Sequence, residues 1–100
     1  MKAERTDRTL FFESLLKWGV ESQFLMVVEE CAELQHVILK RFRGQMNDNK
    51  LAEEISDVQF MLDEVITVMG LEDMVATWRT IKRNRLEGLL YDDNPQAQAQ

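Results

Sequence analysis

The segment Leu51–Met69, LAEEISDVQFMLDEVITVM, decides the fold. Leu51, Ile55, Val58, Leu62, Val65 and Met69 recur there at alternating steps of four and three residues, which keeps them on one stripe of an α-helix. No strand-like pattern of period two competes with it here or elsewhere in the chain. Gly70 ends the run. Before it, Gly44–Asn49 (GQMNDN) reads as a turn in which Asn47 or Asp48 caps the helix. Glu53 or Glu54 strengthens its first turns electrostatically.

The same period extends in both directions. Upstream, Phe24, Val27, Cys31, Leu34 and Ile38 form the apolar seam of a helix capped by Ser22 and reaching about Arg43, before Gly44. Leu10, Phe11, Leu15 and Trp18 mark a shorter helix from Asp7 to Trp18, stopped by Gly19. Downstream, Met74, Val75, Trp78, Ile81, Leu86 and Leu89 predict a fourth helix from about Glu72 to Leu90. Short connections between long helices imply antiparallel neighbours, so the expectation is an all-α fold, a four-helix bundle. It should occupy residues 1–93 as a single domain, followed by a disordered tail, residues 94–100, NPQAQAQ.

Bulk properties agree with this and narrow the function. One hundred residues suffice for one domain with a modest core, which a bundle of this size often completes by pairing with a copy of itself. Phe11, Phe12, Phe24, Phe42 and the six methionines are then core or subunit interface. A formal net charge of −6 argues against a nucleic-acid polymer as partner, because basic surface supplies most of that affinity. A nucleotide remains compatible where metal ions screen its phosphates. The single cysteine, Cys31, excludes an intrachain disulfide and reads as a small buried hydrophobe. With no apolar run long enough for a membrane span, the expectation is a soluble cytoplasmic protein.

Chemistry points to two acidic pairs. Glu30 with Glu33, and Glu54 with Asp57, stand three residues apart, so each pair shares one helical face. That spacing alone is weak, since Glu4 and Asp7 have it too. Position strengthens it. Glu30 and Glu33 directly precede the seam residues Cys31 and Leu34, and Glu54 and Asp57 directly precede Ile55 and Val58. Both pairs therefore border the apolar stripe by the same rotation, about 100°. If the two helices are antiparallel neighbours, four carboxylates converge and repel one another unless protons or cations sit among them. Hard divalent cations, Mg²⁺ above all beside phosphates, are their natural partners.

These residues resemble a known family. EECAEL at Glu29–Leu34 followed by EEISDV at Glu53–Val58 is similar to the EExxE…ExxD signature of MazG-like and dimeric-dUTPase-type nucleoside triphosphate pyrophosphohydrolases, the all-alpha NTP pyrophosphatase superfamily. The resemblance also takes in KWG at Lys17–Gly19, Gln23, KRFRG at Lys40–Gly44 and QFMLDEV at Gln59–Val65, and spans roughly Leu15 to Leu86.

The resemblance implies a four-helix fold assembled as a homodimer or homotetramer. It implies Mg²⁺-dependent cleavage of a nucleoside triphosphate between the α and β phosphates, with Mn²⁺ able to substitute, in the house-cleaning of nucleotide pools. Glu30, Glu33, Glu54 and Asp57 fall on the family's metal ligands. Glu29, or a ligand such as Glu30, would accept the proton of the attacking water. Lys82, Asn84 and Arg85 resemble the basic end of the last helix, which contacts the outer phosphates. The following LEGLLYDDN departs from the family pattern by supplying acids there. Trp18 and Gln23 would line a nucleobase pocket by stacking and edge hydrogen bonding, although a core aromatic at a helix end is the simpler reading of Trp18.

Two other classes compete. Glu33 and His36 have the Glu-x-x-His spacing of di-iron carboxylate bundles, but His36 is the chain's only histidine. A non-enzymatic helical interaction module, its acids merely solvated, is the other.

Overall fold

The computed structural model describes residues 4–91. The tail expected over residues 94–100 lies outside them. Four α-helices carry the described chain, which contains no strand: α1 (Asp7–Trp18), α2 (Val20–Leu39), α3 (Asp48–Val68) and α4 (Glu72–Tyr91). A 3₁₀ turn, Lys40–Arg43, follows α2. The chain divides into two compact units, Met1–Met69 and Gly70–Gln100. No described helix is long and apolar enough to cross a membrane.

Helix ends follow local chemistry. Thr6 accepts a hydrogen bond from the Thr9 amide to cap α1, and Asn47 accepts one from the Lys50 amide at 3.1 Å to cap α3. Between α1 and α2 stands one residue. Gly19, at φ 87° and ψ 159°, donates its N–H to the Leu15 carbonyl and accepts from the Gln23 amide. A side chain strongly disfavours that backbone region. The turn therefore needs no Ser22 cap: α2 begins at Val20 with Gly19 in the cap position, three residues earlier than expected. At its other end, α-helical geometry stops at Leu39 and tightens into the 3₁₀ turn, which Gly44 closes in the left-handed region at φ 68°.

In the first unit, α1, α2 and α3 pack against one another, and α2 with α3 make the most extensive contact. Phe11 of α1 is buried and meets Phe60 of α3 edge-to-face, ring centres 5.1 Å apart, an arrangement worth about 1 kcal/mol beyond burial. Val37 is the other buried apolar side chain among the described residues.

The face that α2 and α3 turn to each other is not the expected apolar seam. Phe24, Ile38, Ile55, Leu62 and Met69 are exposed, whereas Gln23, Glu54 and Glu64 are buried. Val27, Cys31, Leu34, Leu51, Val58 and Val65 are half-buried. The helices meet along an edge about one residue's rotation from the seam, where the acids stand. Phe12 is half-buried and Phe42 fully open. Trp18 is 56% exposed, so it is no core residue.

Candidate metal centre

The acidic face gives α2 and α3 a fixed register. Glu33 meets Glu54, Glu30 meets Asp57, and Gln23 meets Glu64. As the first members descend along α2, the second ascend along α3, so the helices are antiparallel. Glu30 to Gln23 and Asp57 to Glu64 are both steps of seven residues, two helical turns.

The four acids singled out from sequence come together. Glu30, Glu33 and Glu54 each present a carboxylate oxygen within 4.8 Å of the others, and Glu53, Glu54 and Asp57 do the same. Glu54 belongs to both groups and is 2% exposed. Burial first, then the charges of Asp57, Glu33 and Glu54 and a hydrogen bond with Asp57, push the Glu30 carboxyl above the ordinary carboxylate value. Oε2 of Glu30 and Oε2 of Glu54 are buried without a hydrogen-bond partner among the described residues. Such atoms are costly to bury uncompensated, by about 1–3 kcal/mol each.

A divalent cation fits this donor set. Oxygens bound to one octahedral Mg²⁺ at about 2.1 Å lie about 3.0–4.2 Å apart, so oxygens within 4.8 Å of one another would draw in by up to about 1.8 Å, a movement within reach of side-chain rotation. Cationic chemistry is already present. Lys50 places Nζ 3.0 Å from Glu54 Oε1 and 3.1 Å from Glu53 Oε1. Lys40 and His36 line the adjacent cleft of about 440 Å³ with Glu33, Lys50 and Glu54. His36 is exposed and joins neither oxygen group.

The remaining residues named from sequence are dispersed. Glu29 is exposed, outside both groups, on a groove that includes Trp18 and Met26. Trp18 and Gln23 line one cavity of about 360 Å³, so these two are brought together. The Gln23 amide is assigned with its nitrogen toward Glu64, because the reverse would set carbonyl oxygen against carboxylate. Lys82, Asn84 and Arg85 stand on α4 in the second unit. Lys82 lies 5.9 Å from the Trp78 ring centre, Asn84 accepts from Arg83 at 3.2 Å, and Arg85 is half-buried.

Three residues that sequence reasoning left out of the site contribute. Lys50 was detectable from its spacing of three and four before Glu53 and Glu54. Glu53 adds a second carboxylate beside Glu54. Glu64, two turns beyond Asp57 on the same face, is 4% exposed, and burial pushes its carboxyl above the usual range. No protein-family model, curated protein or solved structure matches the chain.

Proposed function

We propose that this chain is a Mg²⁺-dependent nucleoside triphosphate pyrophosphohydrolase that releases a nucleoside monophosphate and pyrophosphate. One observation carries the reading: Glu30, Glu33, Glu54 and Asp57 converge from two helices, and two of their oxygens are buried without partners. The MazG-like motif resemblance supplies the reaction class. Bound at these acids, Mg²⁺ would neutralise phosphate charge and hold the attacking water.

The chain's own residues then have defined tasks. Glu30, Glu33, Glu54 and Asp57 would hold the cation. Glu29 or Glu30 takes the proton as the water oxygen bonds to the α-phosphorus and the bond to the bridging oxygen breaks. Lys40 and Lys50, which line the cleft beside Glu33 and Glu54, offer ammonium groups to the phosphates.

Self-association belongs to the same reading. Leu25 (61% exposed), Val28 (63%) and Leu39 (54%) leave apolar side chains on α2 open to a partner. A second copy offers the same surface, and a two-fold pairing would bury both.

Incubation with each common NTP and dNTP plus Mg²⁺, followed by ion-exchange separation and a pyrophosphate assay, tests the reaction. Monophosphate and pyrophosphate should form in equal amounts, and neither should form with EDTA or in Glu54→Gln. Diphosphate with orthophosphate would overturn the cleavage position. Absence of turnover with every substrate would favour the non-enzymatic module.

A further inference from the structure

Glu64 is an acid with no part in the chemistry above, yet it is 4% exposed. It lines the cavity of about 360 Å³ whose walls include Trp18, Ser22, Met26 and Phe60. The volume falls within the range of small-molecule sites, which combine mostly apolar walls with a few fixed polar groups. Gln23 donates its amide to both Glu64 oxygens, at 3.2 and 2.5 Å. The carboxylate is thus held in one orientation, with lone pairs to spare.

The register ties this cavity to the metal-binding acids. Gln23 and Glu64 lie seven residues from Glu30 and Asp57 respectively, an advance of about 10 Å along each helix. A sugar with its base sets a comparable distance between an α-phosphate and the far edge of the base.

We propose that this cavity receives the substrate's nucleobase, and that Glu64, oriented by Gln23, selects bases carrying an exocyclic amine over uracil and thymine. The proposal rests on the nucleotide reading above and adds its base specificity. A carboxylate can only accept hydrogen bonds. Adenine, cytosine and guanine each present amine N–H groups on their pairing edge, and guanine adds a ring N–H beside its amine. Uracil and thymine present two carbonyl oxygens there, flanking a single N–H. Their one N–H can reach a carboxylate oxygen only by bringing a flanking carbonyl toward the same anion, and that acceptor–anion repulsion offsets the single hydrogen bond gained. The Trp18 ring at the cavity wall offers a stacking surface for any base.

Trp78→Phe leaves Trp18 as the only tryptophan, so its emission reports on this cavity. In EDTA, that protein is titrated with dGMP, dAMP, dCMP, dUMP and dTMP. The first three should quench Trp18 with dissociation constants at least about tenfold below those of the last two. Glu64→Gln, and independently Gln23→Met, should shrink that gap to about threefold or less. Equal quenching by all five, quenching by none, or a gap that survives both substitutions overturns the proposal. Triphosphate cleavage with Mg²⁺, measured in parallel, separates it from the hydrolase reading. Cleavage without base preference removes the Glu64 role alone, whereas base discrimination without any cleavage removes the hydrolase reading alone.

Discussion

Lys50 holds its ammonium 3.0 Å from the buried carboxylate of Glu54, one helical turn further along α3. Hydrogen bonds to Glu54 and then Glu53, with the charges of both acids, push the Lys50 ammonium above the ordinary lysine value. The acidic face therefore carries its own counter-charge. An incoming divalent cation competes with Lys50 for Glu54.

Replacing Lys50 with methionine tests that competition. In EDTA the variant should melt below the parent, since Glu54 loses the ammonium that pairs with it. With Mg²⁺ the order should narrow or reverse, because the ion no longer displaces an ammonium. Differential scanning fluorimetry across a Mg²⁺ series reads both effects. An unchanged Mg²⁺ response would mean the ion binds away from Glu54.

Glu30→Gln and Glu54→Gln should split their effect by condition. Without metal, Glu30→Gln removes a repelling charge and should raise Tm. With Mg²⁺, both variants should lose the stabilisation that the parent gains, about 1.4 kcal/mol for every tenfold excess of ion over its dissociation constant. Parent-like Mg²⁺ gains in both variants would remove these two acids from the ligand set.

The sequence-to-structure comparison turns on rotation rather than on helix placement. Gly19, Asn47 and Gly70 mark helix ends by chemistry that needs no tertiary context, and α1, α3 and α4 start or stop where those residues predict. The convergence of Glu30, Glu33, Glu54 and Asp57 was legible too, because two pairs kept one offset from the apolar stripe. What period cannot tell is which stripe meets which neighbour. Ile55 and Leu62 are 40% and 42% exposed beside Glu54 and Glu64, at 2% and 4%. Hydropathy assigns such acids outward, since Glu is rarely buried unpaired. Gln23 and Lys50 supply the partners that make this inversion tolerable, and only folding brings Gln23 to Glu64.

Glu64 and Glu30 give the metal-free protein a pH dependence with a definite sign. An acid whose folded pKa exceeds its unfolded value contributes its stability in full below the unfolded pKa. That contribution disappears as pH rises through the folded value. Burial raises both carboxyls, for Glu64 against the opposing pull of the Gln23 amide, so Tm in EDTA should fall as pH climbs above the usual carboxylate range. Glu64→Gln should flatten the curve, and its advantage over the parent should be larger at pH 8 than at pH 4.5. A constant difference across that interval would mean Glu64 titrates normally.

Asn47→Ala removes the side-chain cap of α3 while leaving the carboxylates untouched. The expected loss is about 1 kcal/mol, or roughly 4–8 °C in Tm for a chain of this size. Because the cap engages the Lys50 amide, fraying there should also loosen the Lys50–Glu54 pair. Amide exchange at Lys50 should quicken relative to Val65. Equal protection in parent and variant would show that tertiary packing, rather than the cap, fixes the start of α3.

Leu25 and Val28 provide the test of self-association. Light scattering coupled to gel filtration should give the parent a mass of two or more chains. Leu25→Lys combined with Val28→Lys should drive it toward one chain without loss of helical circular dichroism. A monomeric parent at micromolar concentration would refute the two-fold pairing.

The one-residue link at Gly19 makes α1 and α2 mechanically continuous in phase. Trp18, the last residue of α1, and Gln23, within the first turns of α2, reach the same cavity across it. One residue inserted into the end of α1 would swing Trp18 about 100° around its axis, with no loop to absorb the change. Drift in the length of α1 should therefore occur at its Thr6 end, where the phase of Trp18 is unaffected. The glycine acts as a vernier between two helices, and a homologue that lengthens this link would surrender the common cavity before it lost either helix.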